Sequence, residues 1–212
     1  MATPSHTRRA LLAWSLALAA GPALAQPGRP RVITMLGDSI TAGYGLPAAA
    51  ALPNQLRLQL QKLGVAALVR AAGVSGDTTA GGLARVDFSV RKDTDLVIVA
   101  LGANDLLQGQ DPKRTRANLD GILKRLKARK VGVVLAGIAA PVEIGGGYAR
   151  DFNAIWPALA RAHGVPLYPN LIDGVARNPS LNQPDGIHPN ARGAAIIAAR
   201  LAPVVARALT RR

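Results

Sequence analysis

No cysteine occurs among the 212 residues. That absence excludes a disulfide framework, a thiol nucleophile and thiolate metal sites. It leaves an oxidising compartment open, since a domain of this length can be stable without covalent staples. Aromatic residues make up only 3% of the chain, so few side chains could stack on bases, and nucleic acid is a poor partner. Three histidines, with no clustering, give metal catalysis no support. The phosphate-loop pattern G-x-x-x-x-G-K-[ST] and the G-x-S-x-G elbow are both missing. Acidic residues are scarce as well, 12 against 26 lysines and arginines, for a formal charge of +14. Such a balance implies a weak attraction to anionic membrane surfaces.

What is present is apolar material: 49% hydrophobic against 18% charged residues, enough for a packed core and too much for a disordered chain. The start, "MATPSHTRRALLAWSLALAAGPALAQPG", places Arg8 and Arg9 before an apolar run from Ala10 to Ala20. Gly21 and Pro22 break the run, and Ala23-Leu24-Ala25 fits a small-x-small cleavage site. This is the pattern of a secretory signal peptide, 1–25, too short for a stable membrane span. The expected mature chain, 26–212, is a single periplasmic or secreted domain and a monomer. Much of the charge falls in "DPKRTRANLDGILKRLKARK" (111–130). There Leu119, Ile122, Leu123 and Leu126 share a helical face and the cations fill the others, as on a solvated helix.

From Arg31 onward, apolar runs alternate with helical patterns. Strands are predicted at 31–36, 65–72, 95–102, 131–138 and 165–170. Helices are predicted at 53–64, 77–90 with Asp77 as cap, 111–130, 148–164, and from about Arg192. Pro157 should kink or restart the helix that contains it. The alternation specifies an α/β class, a three-layer α/β/α sandwich around a parallel sheet of about five strands.

Ligands of such sheets bind beyond the carboxyl ends of the strands. Polar residues stand at those ends: Gly37-Asp38-Ser39, then "GVSGDT" (73–78), then Gly102-Ala103-Asn104-Asp105. "PDGIHPN" (184–190) precedes the last helix. Pro189 biases His188 towards extended backbone, and Asp185 is close enough to accept from its ring and fix the tautomer. His6 lies in the signal and His163 precedes the helix-stopping Gly164, so His188 is the candidate base. Ser39 reads alone as a helix cap or a nucleophile; beside a base and its orienting carboxylate it becomes the candidate nucleophile. The N–H groups of Ser39 and Gly76 and the amide of Asn104 are the donor types an oxyanion needs. Asp38, Asp77 and Asp105 read as loop-shaping residues.

The set "GDSITAGYG", "GVSGDTTAGGLAR", "LGANDL" and "DGIHPN" resembles the SGNH (GDSL) hydrolase family, and within it the acyl-CoA thioesterase I, lysophospholipase L1 and arylesterase group. The resemblance covers essentially the whole mature chain. It implies the flavodoxin-like fold of that family, catalytic Ser39, Asp185 and His188, and an oxyanion hole of Ser39, Gly76 and Asn104. No cofactor and no metal are implied. The expected substrate is a small ester or thioester with an acyl chain. Ala103 departs from the pattern, since close relatives often carry a second glycine there. Tyr44, Leu46, Leu106, Leu107 and Ile144 are apolar neighbours expected to hold an acyl chain, and "EIGGGYA" (143–149) could close over it. A carbohydrate acetyl esterase is the alternative within the family. A cationic protein that binds anionic surfaces is the alternative from a different class, and it leaves the four blocks unexplained. Ser89 and Lys92 match S-x-x-K but lack its companion motifs.

Overall fold

The apolar run at 96–100 forms the middle strand of the sheet, and all five of its side chains are buried. In a computed structural model of the protein, residues 29–210 are described, so the predicted signal peptide lies outside the described residues. The strands are β1 (Arg31–Gly37), β2 (Ala67–Gly73), β3 (Leu96–Ala100), β4 (Gly132–Ala136) and β5 (Leu167–Tyr168). They run parallel in the order β2-β1-β3-β4-β5. Ile33, Met35, Ile98, Val99 and Val134 are fully buried. That is the pattern of a sheet covered on both faces, and each large apolar side chain contributes roughly 1.5–3 kcal/mol.

The helices are α1 (Ser39–Ala42), α2 (Leu52–Lys62), α3 (Thr79–Ser89), α4 (Ala103–Leu107), α5 (Pro112–Ala128), α6 (Gly146–Asn153), α7 (Ile155–His163) and α8 (Ala191–Thr210). α2 packs on α8, and α3 and α7 pack on α5. In α5 the buried stripe is Leu119, Ile122, Leu123 and Leu126, the face the spacing predicted.

The helix expected over 148–164 restarts as Pro157 requires, giving α6 and α7, because Pro157 has no N–H to give Asn153 and its ring crowds that carbonyl. Two predictions are corrected in detail. The last strand shrinks from 165–170 to Leu167–Tyr168, pairing only with Leu135 and Ala136. Thr78, not Asp77, caps α3 by accepting from the Gly81 N–H.

Strand order reverses between β1 and β3, the place where open α/β sheets bind ligands. The register sets Gly37 beside Gly73 on one side and Ala100 on the other. Three loops therefore leave the sheet from one level, carrying Ser39, Gly76 and Asn104. Gly73 has no room for a side chain, since a Cβ there would meet the Ala42 nitrogen at 2.3 Å and the Asp38 oxygen at 2.7 Å.

Candidate active site

Asp38 leaves β1 in a non-helical conformation, and its carboxylate accepts the Ile40 N–H at 3.1 Å. The cap of α1 is thus Asp38. Ser39 is the first helical residue, with its hydroxyl uncommitted to capping. The helix stops after one turn at Gly43, in the left-handed conformation glycine tolerates. Asp38 is 1% exposed, and burial pushes its carboxyl up to about 6 against the opposing Ile40 hydrogen bond.

Ser39 Oγ lies 2.8 Å from His188 Nε2. The other ring nitrogen, Nδ1, is 2.7 Å from Asp185 Oδ2. Asp185 Oδ1 accepts the N–H groups of Ile187 at 2.9 Å and His188 at 3.0 Å. These hydrogen bonds, the His188 backbone first and its ring next, hold the Asp185 carboxyl down at about 2. An ionised carboxylate makes Nδ1 the protonated ring position and turns the Nε2 lone pair towards the serine.

The loop bearing His188 is braced from both sides. Gln183 donates to the Tyr44 carbonyl at 2.7 Å and to the Pro189 carbonyl at 3.1 Å, joining it to the chain after α1. Asn182 is buried and donates to the Val175 and Asn178 carbonyls. The Tyr44 ring tilts against the His188 ring at a centroid distance of 4.6 Å. Sequence reasoning missed Gln183, for which no local pattern points to a bond reaching back to Tyr44.

Among the described residues, neither the Ser39 N–H nor the Gly76 N–H meets an acceptor. Gly76 has φ +80° with open space where a side chain would stand. Asn104 donates one amide hydrogen to the Asp77 carbonyl at 2.9 Å, leaving the other available. Asp105 does more than shape its loop. It is 2% exposed and accepts from the Thr79 N–H and hydroxyl and from the Thr115 hydroxyl, pinning α4 to α3 and α5.

Of the five expected acyl-chain residues, two come to the serine. Tyr44 and Leu46 line a cavity of about 10 Å³ with Ser39 and His188. Leu106, Leu107 and Ile144 are not part of it. With Asp105 turned inward, Leu106 packs partly on the core, while Leu107 falls on the outer side of the short helix and is exposed. Ile144 ends a single 3-10 turn, Val142–Ile144, whose Glu143 pairs with Arg177 at 3.5 Å. A larger cleft of about 880 Å³ opens at the amino ends of β3, β4 and β5. Its lining has no hydroxyl nucleophile, and its one histidine, His163, is bound to Asp120. No cluster of three or more histidine, aspartate or glutamate side chains among the described residues could hold a metal ion.

A hydroxyl, an imidazole and a carboxylate in sequence can perform acyl transfer. The GDSL-like lipase/acylhydrolase family matches residues 35–196. The thioesterase 1/protease 1/lysophospholipase L1 of Escherichia coli K12 is 39% identical over 159 residues, 74% of this chain and 75% of that one. An arylesterase of Vibrio mimicus is 37% identical over 158 residues, covering 74% and 79%. The crystal structure of AlinE4, an SGNH-hydrolase family esterase, superposes with a TM-score of 0.72 at 43% identity, covering 86% of this chain and 98% of that one. The chain therefore belongs to the GDSL-like lipase/acylhydrolase family and is a serine ester hydrolase.

Proposed function

We propose that the protein cleaves carboxylic ester or thioester bonds of acyl substrates through a covalent acyl-enzyme on Ser39. The observation that carries this reading is the continuous path Ser39 Oγ, His188, Asp185, with contacts of 2.8 and 2.7 Å. His188 takes the Ser39 proton as Oγ attacks the carbonyl carbon, and Asp185 stabilises the imidazolium that forms. The carbonyl oxygen gains charge and is held by the Ser39 and Gly76 N–H groups and the Asn104 amide. Collapse breaks the bond to the leaving oxygen or sulfur, which takes the proton from His188. Water, deprotonated by His188, then attacks the acyl carbon and regenerates Ser39.

Tyr44 and Leu46 supply the apolar contact nearest the serine. The cavity beside Ser39 is small, about 10 Å³. A long acyl chain is expected to extend along the open surface beyond Tyr44 and Leu46. That small volume also favours the second reading, an acetyl esterase. The 1–25 pattern supports action outside the cytoplasm. Hydrolysis of p-nitrophenyl esters from acetyl to palmitoyl, by the wild type and by Ser39→Ala, tests the proposal. Loss of turnover in the variant is expected, and the preferred chain length separates the two substrate readings. Equal rates for both proteins on every ester would overturn the reading.

A further inference from the structure

Arg85 stands in the middle of α3, with its side chain 19% exposed, and its guanidinium binds two of the three segments that meet at the catalytic edge. Nε donates to Asp77 Oδ2 at 2.7 Å. Nη1 donates to the Ala72 carbonyl at 2.9 Å and to Ser89 Oγ at 3.0 Å. Nη2 donates to the Gly37 carbonyl at 2.8 Å. Gly37 is the last residue of β1, two before Ser39. Ala72 precedes the turn that carries Gly76, and Asp77 closes it. The Asp77 carbonyl in turn receives the Asn104 amide at 2.9 Å. One planar cation thus ties the nucleophile's strand to the Gly76 turn and, one bond further, to Asn104.

We propose that Arg85 is a positioning residue that fixes the oxyanion donors relative to Ser39. The proposal rests on the acyl-transfer reading of Ser39 given above. A surface ion pair alone would add little to stability and would need no carbonyl partners. Here two carbonyls at strand ends, the Asp77 carboxylate and Ser89 share one fork of donors. Lysine, a point charge on a flexible stem, cannot reproduce that geometry. An oxyanion donor acts only when aimed at the position the charged oxygen reaches, and misplacement by about 1 Å costs on the order of 100-fold in rate.

The test compares Arg85→Lys and Asp77→Asn with the wild type, using kcat per active site from the p-nitrophenol burst amplitude. Normalising to the burst removes any loss of folded protein. Arg85→Lys is expected to lower kcat about 10- to 100-fold with KM within about twofold, because the donors act on the transition state rather than on bound substrate. Asp77→Asn removes the charge from the same contact while keeping an oxygen that can accept, and should show a smaller loss of the same kind. The two changes together should cost less than the product of the single losses. Unchanged kcat per site in both single variants, with only a lower melting temperature or smaller burst, would overturn the positioning role. Ser39→Ala is assayed alongside. If it retains turnover, the acyl-enzyme reading falls and this proposal with it. If it is inactive while Arg85→Lys turns over normally, only the role of Arg85 falls.

Discussion

His188 Nε2 and Ser39 Oγ, 149 residues apart in sequence, meet at 2.8 Å at the carboxyl edge of the sheet. The contact depends on β1 delivering the serine to the switch point and on a short stiff loop presenting the histidine beside it. Asp185 completes the line from three residues upstream.

Asp185→Asn should therefore cost far more in rate than in folding. An asparagine can present its amide hydrogens to Nδ1 and favour the wrong tautomer, for which a loss on the order of 10⁴ in kcat is expected. Steady-state kinetics on a p-nitrophenyl ester measure it. A loss under tenfold would show that the carboxylate does not orient the ring.

Asp185 also carries a pH signature. Its folded-state carboxyl titrates at about 2, below the ordinary 3.8, so it stabilises the fold above pH 4. That contribution disappears as pH falls towards 2. Urea unfolding of wild type and Asp185→Asn across pH 2–5 should give stability curves that converge at the acid end.

Asp38 has the opposite sign. Burial raises its carboxyl to about 6, so between pH 4 and 6 the folded protein keeps a proton that the unfolded chain has released. Stability should fall as pH rises through that window and level off above it. The gap corresponds to on the order of 3 kcal/mol. Asp38→Asn keeps an oxygen to cap Ile40 and should remove that slope, as denaturant titrations at pH 4, 5, 6 and 7 would show. Parallel curves for the two proteins would contradict it.

Asp105→Ala leaves the Thr79 N–H and the Thr79 and Thr115 hydroxyls without their buried acceptor. Orphaned buried donors of this kind cost on the order of 1–3 kcal/mol each. A fall in melting temperature of several degrees is expected. Because the same carboxylate anchors α4, turnover by the folded fraction should fall as well.

Gly73→Ala tests how closely α1 lies on β2. Its Cβ would meet backbone atoms that also carry Asp38 and Ala42, and these can yield only by moving the helix that starts with Ser39. Overpacking of this sort costs roughly 1–3 kcal/mol. Activity should drop along with stability, unlike at Gly64, where a side chain would meet open space and strain only the local turn, at φ +75°.

The sheet and the meeting of Ser39, His188 and Asp185 at its edge were legible in the sequence because histidine is rare in it. One histidine stood between two prolines with an aspartate three residues before it, and one serine followed the first strand. Gly76 and Asn104 were legible as the residues after strand ends. Arg85 was not, since nothing in a chain with 26 basic residues marks the one whose guanidinium turns inward to backbone carbonyls. Asp105 reads as a loop residue in the sequence because its partners Thr79 and Thr115 lie 26 and 10 residues away. Leu106 and Leu107 looked equivalent, and only the inward turn of Asp105 assigns one partly to the core and the other to solvent.

The most direct measurement is the site of covalent labelling by a p-nitrophenyl phosphonate. The protein should release one equivalent of p-nitrophenol, lose activity in proportion, and carry the added mass on the peptide containing Ser39. Labelling should be absent from Ser39→Ala and strongly slowed in His188→Ala. An adduct on another residue, or full activity after stoichiometric labelling of Ser39, would contradict the account.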